Sequence, residues 1–346
     1  MTRRIVTLVA ALLPIVLIGI VGSSVTVPFV AMGPGPTFDT LGEVEAGDGE
    51  VVDVVDIEGV DTDPTTGNLN MTTVAVRDQL NVFEAVGLWL SGRQGLVPRS
   101  EVYPPGRTRE EITQRNTAEF TQSEVDAEVA ALRQLGEPTA VEVAAVAEDG
   151  PAGDALREGD RIVAVAGTPV GTAAQVQEAV AARAPGQSLT VDVVRGDEPV
   201  AVDIELGARP DDPESGFLGV TPREVSDAPF DIEFNLADIG GPSAGLIFAL
   251  AVVEKLTPGD LNNGDFVAGT GTIRPDGTVG PIGGIRYKLV AANEAGATSF
   301  LVPSANCDEA RLDAPDGLEL VRVETLQGAV DALEAQGRGE PVPTCG

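Results

Sequence analysis

Residues 240–253 read GGPSAGLIFALAVV. From Leu246 to Val253 no polar side chain appears, so no face of a helix here suits water. The segment is expected as a helix buried on several sides. Pro242 suits the first helical turn, where its missing N–H leaves nothing unpaired. Ser243 then lies at a helix N-terminus. Free backbone N–H groups there, those of Ser243 and Ala244, are suited to stabilise an oxygen that gains negative charge. Upstream, Asp231–Ile239 reads as a strand leading into this turn.

Gly241, Ser243 and Gly245 spell G-x-S-x-G, the pattern of a serine nucleophile on a sharp turn. Alone this is a weak signal, because a glycine-rich structural turn has the same spelling. A serine–histidine mechanism is excluded, since the chain has no histidine. Such a serine is inert or has another base. Only two lysines exist, Lys255 and Lys288. The second lies in PIGGIRYKLVAANEAG (281–296), which reads as a helix between Gly283-Gly284 and Gly296. Ile285, Lys288, Leu289 and Ala292 share one face of it. Burial among apolar residues disfavours the ammonium and lowers its pKa, as a lysine base requires. Arginine could not serve, because it does not deprotonate. The alternative is a lysine that snorkels to water, but this chain otherwise uses arginine for its cations.

The remaining composition narrows the field. A length of 346 residues allows two or three domains. A formal net charge of -32 argues against a nucleic-acid partner. Cys307 and Cys345 are the only cysteines, so neither a zinc site nor another metal site is expected. Neither lysine completes G-x-x-x-x-G-K-[ST], so the chain carries no Walker A loop, and no cofactor is expected. At the N-terminus Arg3 and Arg4 precede an uncharged apolar run, Ile5 to Val21, interrupted by Pro14. A single-pass anchor in the cell membrane is expected, with the bulk of the chain extracytoplasmic. The run exceeds a usual signal-peptide core and no clear A-x-A site follows it. In an oxidising compartment Cys307 and Cys345 are expected to form a disulfide.

Between anchor and serine the reading is uneven. MGPGPT (32–37) looks like a turn-rich exit from the membrane. Val51–Ile57 and Asn70–Val76 look like strands, Val82–Leu90 like a short helix, and residues 103–106 like a loop. No chemistry is evident there, and 31–122 is expected as a structural adaptor. A helix over 124–135 is expected, with Ser123 and Asp126 at its start and Gly136 at its stop. Residues 139–207 then run strand, loop, short strand, helix, strand, strand. The sequence GPAGDALREGDRIVAVAGTPV (150–170), a following helix and LTVDVVR (189–195) resemble a bacterial PDZ domain. That resemblance implies a groove that takes an extended peptide by strand addition.

GGPSAGLIFAL, VAGTGTIRPDGTVGPIGGIRYKLVAANEAGA and FLVP, in this order and spacing, closely resemble the proteolytic domain of the Lon proteases. The order of anchor, PDZ and Lon domain is similar to that of bacterial membrane-bound Lon-like proteases without an ATPase domain. The resemblance implies a Ser-Lys dyad of Ser243 and Lys288. Thr270, in A-G-T-G, matches a threonine that helps hold the lysine. Some Lon relatives carry an acid three residues before the serine; here Gly240 stands there, so no third carboxylate is assigned. The PGDLNNGD loop (258–265) is longer than in soluble Lon enzymes. The expected fold class is α+β: 1–30 cytoplasmic tip and transmembrane anchor, 31–122 adaptor, 123–210 PDZ-like domain, 215–346 Lon-type proteolytic domain. The expected activity is a serine endopeptidase cleaving unfolded membrane or secreted proteins, with PDZ-assisted selection. An inactive peptide-binding module and a Ser-Lys esterase or acyltransferase stand as alternatives. Expected partners are protein or peptide substrates and the membrane, and a homo-oligomer is compatible with the sequence.

Overall fold

The computed structural model describes residues 2–45, 49–153, 155–237 and 239–346, with the backbone alone for Thr2 and Arg4. Arg4, in the segment expected as a cytoplasmic tip, and Asp238, in the strand expected over 231–239, therefore lie outside the described side chains or residues.

Three short strands, Phe266–Gly269, Ser299–Pro303 and Glu319–Val323, lie side by side and parallel. The first two are apolar on consecutive residues and must be covered on both faces, and they are. Val267, Leu301 and Val321 face a core shared with helices Gly245–Leu256 and Leu326–Gly337. Ala268, Phe300 and Val302 face the opposite core, built on helix Ile285–Ala295. The sheet is thus the middle of three layers.

The other half of the sheet comes from the segment expected as an adaptor. Asn68–Arg77 runs parallel to Phe266–Gly269, Phe29–Asp39 pairs antiparallel with it, and Gly95–Pro98 forms the far edge. The MGPGPT stretch, expected as a turn, is therefore strand. Its prolines are tolerated because pairing to Gly95–Pro98 covers only Phe29–Met32, and the register on the other side shifts between Pro34 and Thr37. Val82–Leu90 is a helix with those bounds. The strand expected over 51–57 is two, Val51–Asp53 and Val55–Glu58, and the second pairs with Asp231–Phe234. That partner stops at Phe234, short of the expected Ile239.

The helix expected from residue 124 begins fifteen residues earlier and runs Arg109–Leu135. Its start is a capping box of Thr108 and Glu111, and Ser123, expected at the cap, is buried inside it. The polar first half hides this helix from apolar periodicity. Gly136, left-handed at φ 77°, ends it as expected. The boundary drawn at 122/123 thus falls within one helix.

Beyond it lies a separate antiparallel sheet, in the order Glu198–Glu205, Ser188–Arg195, Arg161–Val165, Thr139–Val146, Val220–Ser226. Helix Ala173–Ala181 closes its core of Val141, Ile162, Val176, Val191 and neighbours. The last strand lies past residue 210. Asp160, expected only as a turn residue, is buried and takes Arg195 through two contacts of 2.7 Å.

At the N-terminus, Thr2–Ser24 is one helix, with Ile5–Ser24 long and apolar enough to cross a membrane and almost none of it buried against the protein.

Candidate active site

Helix Gly245–Leu256 begins with Ala244 as its N-cap, so Pro242 stands three residues outside it rather than in its first turn. The approach is set by Gly241, at φ 87°, whose N–H donates to Asn116 O over 2.9 Å. Carbonyls along the turn are held by tertiary bonds. Ser123 Oγ donates to Pro242 O at 3.1 Å, and Gly271 N–H to Ser243 O at 2.9 Å. A Cβ on Gly245 would lie 2.8 Å from both Ile273 and Ser123, so only glycine lets these elements meet. Among the described residues the N–H groups of Ser243 and Ala244 have no backbone acceptor.

Lys288 arrives from the opposite layer. Pairing between Asn68–Arg77 and Phe266–Gly269 ends at Gly269–Met71, which leaves Thr72 O free for the lysine. Lys288 Nζ lies 2.9 Å from Thr72 O, 2.9 Å from Thr270 Oγ1 and 2.7 Å from Ser243 Oγ. Thr270 is fully buried, and its hydroxyl donates to Ser243 O at 3.0 Å, so its oxygen is left to accept from the lysine. Lys288 is 3% exposed, and burial lowers its pKa from 10.5 to about 7. A neutral amine has two N–H groups and one lone pair. With the N–H groups on Thr72 O and Thr270 Oγ1, the lone pair faces the Ser243 hydroxyl.

Ser243, Lys288 and Thr270 are thus together, with the Ala244 N–H beside them. Sequence reasoning missed Thr72, whose contribution is a backbone carbonyl that any residue carries. It also missed the walls of the adjoining cleft of about 580 Å3, where Met32, Met71, Val74 and Val76 lie on the two strands of the supposed adaptor. The other lysine, Lys255, is structural: its Nζ contacts Asp53 Oδ2 at 2.7 Å and Val55 O at 2.6 Å.

A second groove, of about 240 Å3, lies between helix Ala173–Ala181 and strand Val220–Ser226, lined by Val176, Val180, Leu218 and Val220. The stretch GFLG (216–219), unassigned from sequence and partly a short strand paired with Gly207–Ala208, leads into that edge strand. Cys307 and Cys345 are joined by a disulfide with Cα atoms 5.1 Å apart. Among the described residues no cluster of three or more acids and cysteines suits a metal.

Comparison with known proteins agrees with these two units. Residues 117–206 match the PDZ domain family, and residues 238–333 match the Lon protease (S16) C-terminal proteolytic domain. The chain is 34% identical over 119 residues to Lon protease 2 of Bacillus subtilis, covering 34% of this chain and 20% of that protein. It is 35% identical over 129 residues to the Lon protease of Phenylobacterium zucineum, covering 36% and 16%. The chain therefore spans a fifth or less of the length of these relatives. A PDZ domain of the SdrC-like protein from Listeria monocytogenes aligns at 24% identity and TM-score 0.22, over 24% of this chain and 85% of that one. By these family matches the chain carries a PDZ domain over residues 117–206, followed by a Lon-type proteolytic domain over residues 238–333.

Proposed function

We propose that this chain is a serine endopeptidase working through a Ser243–Lys288 dyad. The observation that carries the reading is a buried lysine, with its pKa near 7, whose Nζ lies 2.7 Å from a serine hydroxyl. Neutral Lys288 takes the Ser243 proton as Oγ attacks the scissile carbonyl. The N–H groups of Ser243 and Ala244 receive the developing oxyanion. Lys288 then protonates the leaving amine, and water, deprotonated by the same lysine, releases the acyl group. Thr270 and Thr72 O hold the amine in its direction throughout. Helix Ile5–Ser24 serves as the anchor, and the groove beside Val220–Ser226 takes an extended peptide end. The chain has no Walker A loop, so turnover of an already unfolded substrate needs no nucleotide.

Full-length protein incubated with an unfolded protein, without nucleotide, should cleave it, and Ser243→Ala should abolish cleavage while leaving the fold intact. A fluorophosphonate probe should label Ser243. A folded wild-type protein that neither cleaves nor labels would leave a peptide-binding module, and turnover of esters alone would leave an esterase.

A further inference from the structure

Helix Val82–Leu90 has two apolar faces. Ala85 and Leu88 turn inward, against Val27, Ala31, Leu80 and Leu96. Val82, Phe83, Val86, Trp89 and Leu90 turn outward and are exposed, Trp89 at 63% and Leu90 at 71%. These five recur at helical spacing, so they form one continuous outer stripe. Side chains of this size rarely cluster exposed on a water-facing surface.

The position of the stripe indicates what covers it. The Phe83 ring lies against Gly22, within 2.6 Å of where a Cβ there would be, in the last turn of the apolar helix Ile5–Ser24. That helix, at about 1.5 Å per residue, matches the roughly 30 Å hydrocarbon core, so its last turn falls at the boundary with the headgroups. The backbone fixes the arrangement further: Val27 N–H donates to Leu80 O at 2.8 Å, and Thr26 bridges to Asn81. From Arg77 to Arg109 the chain carries five arginines against three acids, the reverse of a molecule whose net charge is -32. Arg99 and Arg109 share Asp78 and Arg93 pairs with Glu294, so the surplus is small, but arginines beside an apolar stripe with a tryptophan are the composition of an interfacial helix.

We propose that Val82–Leu90 lies in the bilayer interface, with Phe83, Val86, Trp89 and Leu90 inserted among lipid acyl chains beside the end of the anchor. It rests on the anchor reading of Ile5–Ser24. A consequence concerns the substrate. Met32, in the wall of the catalytic cleft, follows Ser24 by eight residues, at most about 29 Å of extended chain. An interfacial helix packed against that same short segment holds the cleft against the membrane surface. The favoured substrates are then segments of membrane proteins that emerge just beyond the bilayer.

Trp89 is the chain's sole tryptophan, so its fluorescence reports on this helix alone. Full-length protein is reconstituted into phosphatidylcholine vesicles containing some phosphatidylglycerol, with or without bromine on the upper acyl chain. Bilayer integration is scored separately, by flotation after carbonate washing. Brominated lipid should reduce Trp89 emission by about half, and Leu90→Asp, at an exposed position, should remove most of that quenching while flotation persists. Protein that floats with unquenched Trp89 overturns the inference and leaves the anchor intact. Blue-shifted, unquenched emission with cross-linked dimers would assign the stripe to a second copy and also overturn it. Failure to float would remove the anchor reading and this inference together.

Discussion

Lys288 has three polar neighbours and no acid among them, so burial alone sets its protonation. A lysine whose folded pKa falls to about 7 is neutral, and competent as a base, above that pH. For a short peptide kcat/KM should therefore rise about tenfold per unit below pH 7 and level off above it. Lys288→Arg should lose at least about a thousandfold at every pH, and adding Ser243→Ala should cost little more. A folded Lys288→Arg enzyme with wild-type rates would end the assignment. Glu254 is perturbed in the opposite sense. It is buried, with Leu261 N–H on one oxygen at 2.8 Å, and burial pushes its pKa from 4.5 up to about 7, with Asp260 and Asp63 adding to the rise. The unfolded carboxyl gives up its proton first as pH rises, so a penalty on folding grows between 4.5 and 7 and is complete above. Glu254→Gln should thus raise stability by about 1–3 kcal/mol at about pH 8 and change little near pH 4, as thermal unfolding would read. Equal effects at both pH values would refute this. Ser243 and Lys288 were legible in sequence because their chemistry resides in side chains that this composition makes rare or unaided. Thr72 was not, because a carbonyl carries no residue identity.

At the scale of elements, the long helix Arg109–Leu135 ends in a junction. Arg133 pairs with Glu224 on the PDZ edge strand, donates to Gly171 O at 2.8 Å and to Pro275 O at 3.3 Å. One guanidinium thereby ties the helix, the PDZ unit and the protease hairpin, and Glu224 also accepts from Ala173 N–H at 2.9 Å. Arg133→Ala should speed amide exchange around 171–174 and 275–278 while short-peptide turnover stays near wild type. The cost should be about 1–3 kcal/mol, because Glu224 loses its buried partner. Unchanged exchange at both places would show that other contacts orient the PDZ unit. The C-terminal half of this helix was readable from Val129, Leu132 and Gly136. Its N-terminal half was not, since residues 109–119 are mostly exposed and polar and follow no apolar period. The true cap was written in the sequence as Thr108 with Glu111, but no apolar run stood next to it to mark it. The strand at 29–39 was missed for a related reason: its prolines and glycines signal a turn, and only tertiary pairing shows which N–H groups were dispensable.

For the whole molecule, the PDZ unit is an insertion. Its first and last strands pair Thr139 with Ser226, and Asp227 N–H donates to Pro138 O at 3.0 Å, so entry and exit are neighbours. Replacing 139–226 by a short flexible linker should leave the protease sheet folded. Short peptides should then be cut at a similar maximal rate, while long unfolded substrates should show a KM higher by about tenfold or more, because the second binding site no longer concentrates them. Faster cleavage of every substrate would instead identify the PDZ unit as a lid, and no change in either would remove it from substrate selection. The same topology governs the protein's birth. Thr72 and its partner Lys288 are 216 positions apart, and Ser243 precedes Lys288 by 45. As the chain leaves the ribosome, the PDZ unit can fold while the surrounding sheet is still half made. On the proposed dyad, the serine emerges before the amine that activates it, and that amine stays charged in water until the parallel strands close over it. On that reading a nascent molecule holds no activated serine for as long as it is incomplete, with chain connectivity serving as the timer.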